Sequence, residues 1–204
     1  MSERDDDLVA DLRRQLSEAR EALRRRTEEA GLLRLQLDAL STTELTTGLL
    51  NLAGLAEAIE TAFHRLGRLG EPFAVIGIRI PALARFAGAG HGVMREALRH
   101  LGAIIAAGLR ALDRTGRLDA TTFVAVVPLK TPNAYAAVLD RLRTVLTAGP
   151  VSVGDESFDP DPHFCVVLGE APTAATAGDP ASVVQLVEDL LATASEAATA
   201  VARL

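Results

Sequence analysis

Hydrophobic residues in the first forty positions recur at alternating intervals of three and four residues, which is the spacing of coiled-coil helices. With Val9 at heptad position a, the pattern continues to Leu40 and is interrupted by Arg26. The predicted seam of a dimer comprises Val9, Leu12, Leu16, Leu23, Leu33, Leu37 and Leu40. We therefore predict a helix over residues 1–43 that forms a parallel coiled coil with a second copy of the chain. The alternative is a single amphipathic helix packed on the body of its own chain.

After residue 43, helical and strand patterns alternate to the end of the chain. Helical spacing predicts helices at about 51–69, 92–111 and 132–147, and a last helix that starts at Asp179 or Ser182 and runs close to the C-terminus. Runs of β-branched residues predict a strand at 73–80 and a β-hairpin at 116–128. After the third of these helices, a loop rich in Asp and Pro is predicted with a strand on each side, the second at 163–168. This alternation predicts an α/β domain over residues 44–204, with a central β-sheet flanked by helices.

Composition narrows the class of protein. Of the 204 residues, 49% are hydrophobic and 24% are charged, as in soluble globular proteins. The single cysteine, Cys165, excludes an intrachain disulfide and any multi-cysteine metal site. The net charge of −6 argues against a nucleic-acid partner. Because the sequence has a charged N-terminus and no apolar run long enough to span a bilayer, we expect a cytoplasmic protein with no membrane partner.

Short motifs after residue 43 follow the order and spacing of a known family. Thr47-Gly48-Leu49 and Asn51 match an opening LTGLxN segment, residues 90–91 match a Gly-His pair, and residues 116–118 stand directly ahead of a predicted hairpin turn. In this order the motifs resemble those of a GGDEF domain, the diguanylate cyclase fold, which is similar to the palm of nucleotidyl cyclases and polymerases. The resemblance covers about residues 44–204. A preceding coiled coil that sets up a dimer is also familiar in that family.

The residues that the resemblance implies for catalysis are replaced. Cyclisation of GTP needs carboxylates that hold magnesium ions, and the family supplies them from the end of the first strand and from the hairpin turn. The matching positions here are Arg79 (Ile78 if the alignment carries no gap), Asp119, Ala120, Thr121 and Thr122. Asp119 as a displaced metal ligand is the alternative to Asp119 as an ordinary turn residue. We expect no metal site, no cofactor, no catalytic residue and no enzymatic activity.

The nucleotide-recognition positions implied by the resemblance are also changed. The family recognises guanine with an asparagine and an aspartate, whose positions here are Ala87 (or Phe86) and Arg95. A lysine that contacts phosphate in the family falls near Ala198. Whether the groove still admits GTP without a metal, through the positive charge of Arg79 and Arg95, is left open by the sequence.

One ligand-binding motif of the family is retained. Arg110 and Asp113 form an RxxD sequence nine residues ahead of Asp119, the spacing of the family's inhibitory site for cyclic di-GMP. The family adds an arginine from the next helix, for which Arg141 is the candidate and Arg143 the weaker one. Arginine suits this role because its planar guanidinium group binds phosphate or a guanine edge bidentately. The alternative is a surface ion pair at a helix end.

Three functions follow as hypotheses. The first is a non-catalytic GGDEF module that dimerises through its coiled coil and binds cyclic di-GMP through Arg110, Asp113 and Arg141. The second is a nucleotide-free scaffold that docks an unidentified protein partner, and the third is a residual diguanylate cyclase.

Overall fold

The computed structural model of the chain describes residues 3–44, 46–88, 91–170, 179–194 and 199–204, with backbone alone at 3–12, 32–40 and 91. Its contacts divide the chain into two compact units, Met1–Leu40 and Ser41–Leu204. None of the described helices is both long and apolar enough to cross a membrane.

The first unit is one helix, α1 (Glu3–Leu40), of 38 residues. Its surface carries ion pairs one turn apart, such as Arg24 with Glu28. Two residues of the predicted seam, Leu16 and Leu23, are 52% and 67% exposed. A second helix would cover such leucines, so their exposure is consistent with the coiled coil, and the dimer stays a prediction. The side chains of the other five seam residues lie outside the described set: Val9, Leu12, Leu33, Leu37 and Leu40.

The second unit is built on a five-stranded sheet. The strands are β1 (Phe73–Arg79), β2 (Arg114–Arg117), β3 (Thr122–Pro128), β4 (Val151–Val153), β5 (Glu156–Phe158), β6 (His163–Gly169) and β7 (Ala200–Arg203). The helices are α2 (Leu52–Leu69), α3 (His91–Ala107), α4 (Tyr135–Leu146) and α5 (Pro180–Thr193), with short 3-10 helices at Pro81–Phe86 and Pro132–Ala134. The sheet order is β2-β3-β1-β6-β7, and β4 and β5 form a separate hairpin.

Both faces of the sheet are covered. On one face Ile76, Phe123 and Phe164 pack in a core with residues of α3 and α4. On the other face Val75 and Val167 pack in a second core with residues of α2 and α5. Because successive side chains of a strand point to opposite faces, strands buried on both sides are apolar throughout. The prediction of an α/β domain with a central sheet flanked by helices is confirmed. The sheet is mostly antiparallel, and β7 alone pairs in parallel, with β6.

Local interactions explain where the predicted helices begin and end. The Asn51 side chain accepts a hydrogen bond from the backbone N–H of Gly54, which caps the start of α2. Gly70, at a φ of 65°, ends the same helix in the left-handed conformation that glycine adopts without strain. The last helix starts after Asp179, which caps it through the N–H of Ala181. Asp179 is therefore the cap, and Ser182 is not.

Two helix ends differ from the prediction. The helix predicted to reach residue 111 ends at Ala107, where the N–H of Gly108 reaches the carbonyls of both Ile104 and Ile105 and the chain leaves the helix. The last helix ends at Thr193 and does not run on towards the C-terminus. Residues 200–203 instead form β7, because pairing with the open edge of β6 outweighs the helix propensity of an alanine-rich segment. The predicted Asp- and Pro-rich loop contains β5.

Candidate functional site

Three polar residues form a row across the sheet at the end of β1. Arg79 pairs with Thr122 of β3 on one side and with His163 of β6 on the other. The Arg79 guanidinium donates a hydrogen bond of 2.9 Å to the carbonyl of Leu191, in the last turn of α5. A cation is favourable at the negative end of a helix dipole. Ile78, the other position considered for the first-strand ligand, is fully buried in the core with α3 and α4.

The turn between β2 and β3 is closed by the Asp119 carboxylate. Its Oδ1 accepts hydrogen bonds from the backbone N–H of Thr121 at 2.6 Å and from the Thr121 hydroxyl at 3.1 Å. Burial raises the pKa of Asp119, but these hydrogen bonds outweigh it and hold the pKa below its ordinary value. Ala120 is exposed at the tip, and Thr122 is buried. The carboxylate therefore acts as a turn-forming group, as the simpler interpretation of Asp119 expects.

This set of side chains does not fit a magnesium site. Mg²⁺ requires oxygen ligands in octahedral geometry, usually with one or two carboxylates. Residues 79 and 119–122 offer a single carboxylate, Asp119, which is already hydrogen-bonded within its turn. Arg79 adds a guanidinium group, which cannot bind a cation. Across the described part of the chain, no group of three or more His, Cys, Asp or Glu side chains is arranged to hold a metal ion.

The base of the same hairpin is joined to the segment that precedes α2. Arg117 forms an ion pair with Glu44, and the two side chains are only 19% and 23% exposed. The second carboxylate oxygen of Glu44 accepts a hydrogen bond of 2.7 Å from the Thr47 hydroxyl. Nearby, the N–H of Leu50 donates to the carbonyl of Thr115 at 2.9 Å. Sequence reasoning missed Glu44, for which no local pattern gave a signal.

Arg110 and Asp113 form a closed turn between α3 and β2. The N–H of Asp113 donates to the carbonyl of Arg110 at 3.0 Å. In return, the N–H of Arg110 donates to the Asp113 carboxylate at 2.7 Å. The carboxylate thus bonds the backbone and not the guanidinium, so the two residues do not form the helical surface pair considered as the alternative. The Arg110 side chain points into solvent and is exposed.

The two candidate arginines of α4 lie in different places. The Arg141 Nε donates to the carbonyl of Gly108 at 3.1 Å, two residues before Arg110. Its Nη2 is buried and has no hydrogen-bond partner among the described residues. Arg143 instead stacks on the Phe164 ring at 5.1 Å and bonds the Thr199 hydroxyl. The structure therefore brings Arg141, and not Arg143, to the end of α3 that carries the Arg110–Asp113 turn.

The positions that the resemblance assigns to guanine recognition have no shared polar site. Phe86 is 2% exposed in the core and its ring packs edge-on against Phe158. Ala87 follows the 3-10 helix and is exposed, as is Arg95 on α3. Ala198 lies outside the described residues.

Comparison with known proteins identifies the family of this fold. A mostly antiparallel sheet with helices on both faces, and a β-hairpin beside the end of its central strand, is typical of cyclase-like α/β domains. The family model of the diguanylate cyclase GGDEF domain matches residues 41–199. The chain therefore belongs to the GGDEF domain family, as the motifs predicted. Among curated proteins, no match to the chain is found.

Solved structures with the same fold have low sequence identity. The GGDEF domain of FimX from Pseudomonas aeruginosa is 16% identical, with a TM-score of 0.67 over 80% of this chain and 99% of that one. The coiled coil and GGDEF domain of DgcB from Caulobacter crescentus, in complex with c-di-GMP, is 15% identical, with a TM-score of 0.63 over 94% and 99%. The diguanylate cyclase SiaD from Pseudomonas aeruginosa, in complex with its activator SiaC, is 19% identical, with a TM-score of 0.63 over 98% and 78%.

Proposed function

We propose that this chain is a non-catalytic regulatory GGDEF module that binds cyclic di-GMP through Arg110, Asp113 and Arg141 and dimerises through α1. One observation carries the binding site: the closed Arg110–Asp113 turn and the Arg141 guanidinium meet at the same end of α3. The Arg110 guanidinium is exposed, and the Arg141 guanidinium lies beside the same turn, where its Nε donates to the carbonyl of Gly108. Cyclic di-GMP offers phosphates and guanine edges, both of which a planar guanidinium binds bidentately.

Loss of catalysis is the second part of the proposal. Its support is the set of side chains at residues 79 and 119–122, where Arg79 bonds α5 and Asp119 is the single carboxylate. Without a cluster of carboxylates, nothing at these positions would neutralise the phosphates of GTP through a metal. Incubation of the full chain with GTP and magnesium, followed by mass detection, should give no cyclic di-GMP. Product formed with turnover would overturn this part and support the residual cyclase instead.

Dimerisation is the third part. The exposed Leu16 and Leu23 support it, as does the coiled-coil arrangement that DgcB combines with its GGDEF domain. Burying apolar seam residues between two helices is the main stabilising term of a coiled coil. Sedimentation equilibrium of the full chain should give twice the mass of the monomer. A monomer at tens of micromolar protein would overturn the dimer and leave the single amphipathic helix.

The binding site is tested by calorimetric titration of cyclic di-GMP into the full chain. We expect binding in the micromolar range, and Arg110→Ala should weaken it at least tenfold because two charge-assisted hydrogen bonds are lost. Arg68→Ala is the matched control, because Arg68 is also an exposed arginine and lies in the last turn of α2. Silence at high micromolar ligand, or equal loss in both variants, would overturn the site.

A second function has its own supporting observation. SiaD, whose structure spans 98% of this chain, was solved with an activator protein, SiaC. By analogy, this chain would be a scaffold that docks an unidentified protein partner, with or without cyclic di-GMP. Cross-linking and pulldown from the native cell test it. Recovery of the homodimer alone would contradict it.

A further inference from the structure

A cavity lined by two arginines lies at the start of α3. It has a volume of about 660 Å³ and is lined by Thr46, Gly92, Val93, Arg95, Glu96 and Arg99. With a rise of 1.5 Å per residue along a helix, Arg95 lies roughly 20 Å from the Arg110–Asp113 turn at the far end of α3. The cavity is therefore separate from the proposed cyclic di-GMP site.

The two arginines of this cavity are arranged as a pair. Arg95 and Arg99 lie one helical turn apart on α3, which places their Cβ atoms about 6 Å from each other. Both are exposed. Within the described residues neither forms an ion pair, although the chain as a whole carries a net charge of −6. An unneutralised pair of guanidinium groups inside a concave site attracts an anion that can bridge them.

Two acidic side chains, Glu44 and Glu96, do not neutralise this pair. Glu44, two residues before Thr46 in the chain, already holds Arg117 with one oxygen and the Thr47 hydroxyl with the other. Glu96 lines the cavity, but its carboxylate is not within ion-pair distance of Arg99 or Arg95 in the described structure. The free carboxylate of Glu96 instead provides an acceptor for a donor group on the same ligand.

We propose that this cavity binds the phosphate or diphosphate group of a small phosphorylated molecule, with Arg95 and Arg99 on the phosphate oxygens and the Thr46 hydroxyl as a further donor. Phosphate is favoured because two guanidinium groups match its oxygens with parallel, charge-assisted hydrogen bonds. Glu96 selects ligands that present a hydroxyl or amino group beside the phosphate. This assignment differs from the family resemblance, which gives the position of Arg95 to an aspartate that recognises guanine. It does not depend on the proposed cyclic di-GMP site.

The test uses sodium pyrophosphate as the probe, titrated into the full chain at low ionic strength. We expect binding that weakens as salt is added, since the attraction between exposed charges is screened. Arg95→Ala and Arg99→Ala should each lower the affinity at least tenfold. Glu96→Gln should raise it severalfold, because a repelling carboxylate is removed without loss of volume. Arg68→Ala, an exposed arginine on α2, should leave the affinity unchanged.

Other outcomes would overturn the assignment. No binding of pyrophosphate would exclude the site, and equal weakening by Arg68→Ala would show non-specific attraction to positive charge. Tight binding of uncharged guanosine would indicate a base-recognition site. Binding that Arg110→Ala abolishes, while Arg95→Ala and Arg99→Ala retain it, would assign the phosphate to the Arg110–Asp113 turn. Because the affinity gain from Glu96→Gln cannot arise from a misfolded variant, the test stays decisive even if an alanine variant loses stability.

Discussion

The half-buried ion pair between Arg117 and Glu44 should stabilise the domain measurably, whereas a more exposed ion pair should not. Both side chains of this pair are about one-fifth exposed. The comparison pair, Arg65 with Glu71, has an N–O distance of 2.6 Å, and its side chains are 46% and 39% exposed. Fully exposed pairs contribute about 0–1 kcal/mol, and breaking a buried pair costs about 3–5 kcal/mol. We expect the energy of the Arg117–Glu44 pair to lie between these two values, because the pair is partly buried. When one residue of the pair is removed, burial and the hydrogen bond from Thr47 to Glu44 limit the access of water to the other.

A double-mutant cycle measures this difference. Glu44→Gln, Arg117→Gln and the double variant are unfolded in urea at one fixed protein concentration, because a dimer would make stability concentration-dependent. We expect Glu44→Gln to cost about 2 kcal/mol and the coupling energy to be about 1–2 kcal/mol. The same cycle on Arg65 and Glu71 should give a coupling below about 0.5 kcal/mol. Equal coupling energies in the two cycles would refute the argument that burial determines how much an ion pair contributes to stability.

Two further predictions concern the packing of the sheet. Gly116→Ala should cost about 2–4 kcal/mol in urea unfolding, because its Cβ would lie 2.4 Å from Leu55 Cγ and 2.8 Å from the backbone oxygen of Leu50. Gly67→Ala, at an exposed position of α2 with nothing within 4 Å, should stabilise the domain by about 0.5–1 kcal/mol. Burial raises the pKa of the Cys165 thiol to about 11 from 9.0, so the thiol stays protonated in the fold while the unfolded chain ionises first. The free energy of unfolding should therefore fall by about 2 kcal/mol between pH 8 and 11, relative to Cys165→Ala measured over the same range. A Cys165 variant with the same pH slope as the original chain would contradict the second prediction.

The elements that the sequence predicted well are those whose signal is local. Strand β1 is a continuous apolar run between two prolines, and α2, predicted at about 51–69, spans Leu52–Leu69. The β2–β3 turn likewise depends on Asp119, which bonds a residue two positions away. The end of α3 had a local signal that the prediction passed over, because Gly108 directly follows the last residue of the helix. The end of α5 was not predictable in this way, since it depends on an edge of β6 that exists only in the folded sheet.

In the candidate site, too, residues with a local signal were predicted and residues that depend on distant contacts were not. The Arg110–Asp113 motif was found from its spacing to the hairpin, and the structure shows that the two residues close a turn by short-range hydrogen bonds. The preference for Arg141 over Arg143 was based on the family pattern alone, and only the fold shows which of them reaches Gly108. Glu44 was missed because its partner, Arg117, is 73 residues away in the chain. No local pattern marks an ion pair of that separation.

The contact between Arg79 and the carbonyl of Leu191 joins the end of β1 to the end of α5, although the two residues lie 112 positions apart in the chain. A positive charge at position 79 is favourable beside the negative end of that helix. Replacing Arg79 by aspartate would remove the hydrogen bond and place a negative charge beside the same end. The charge at position 79 therefore determines how firmly the last helix of the domain is held on the sheet.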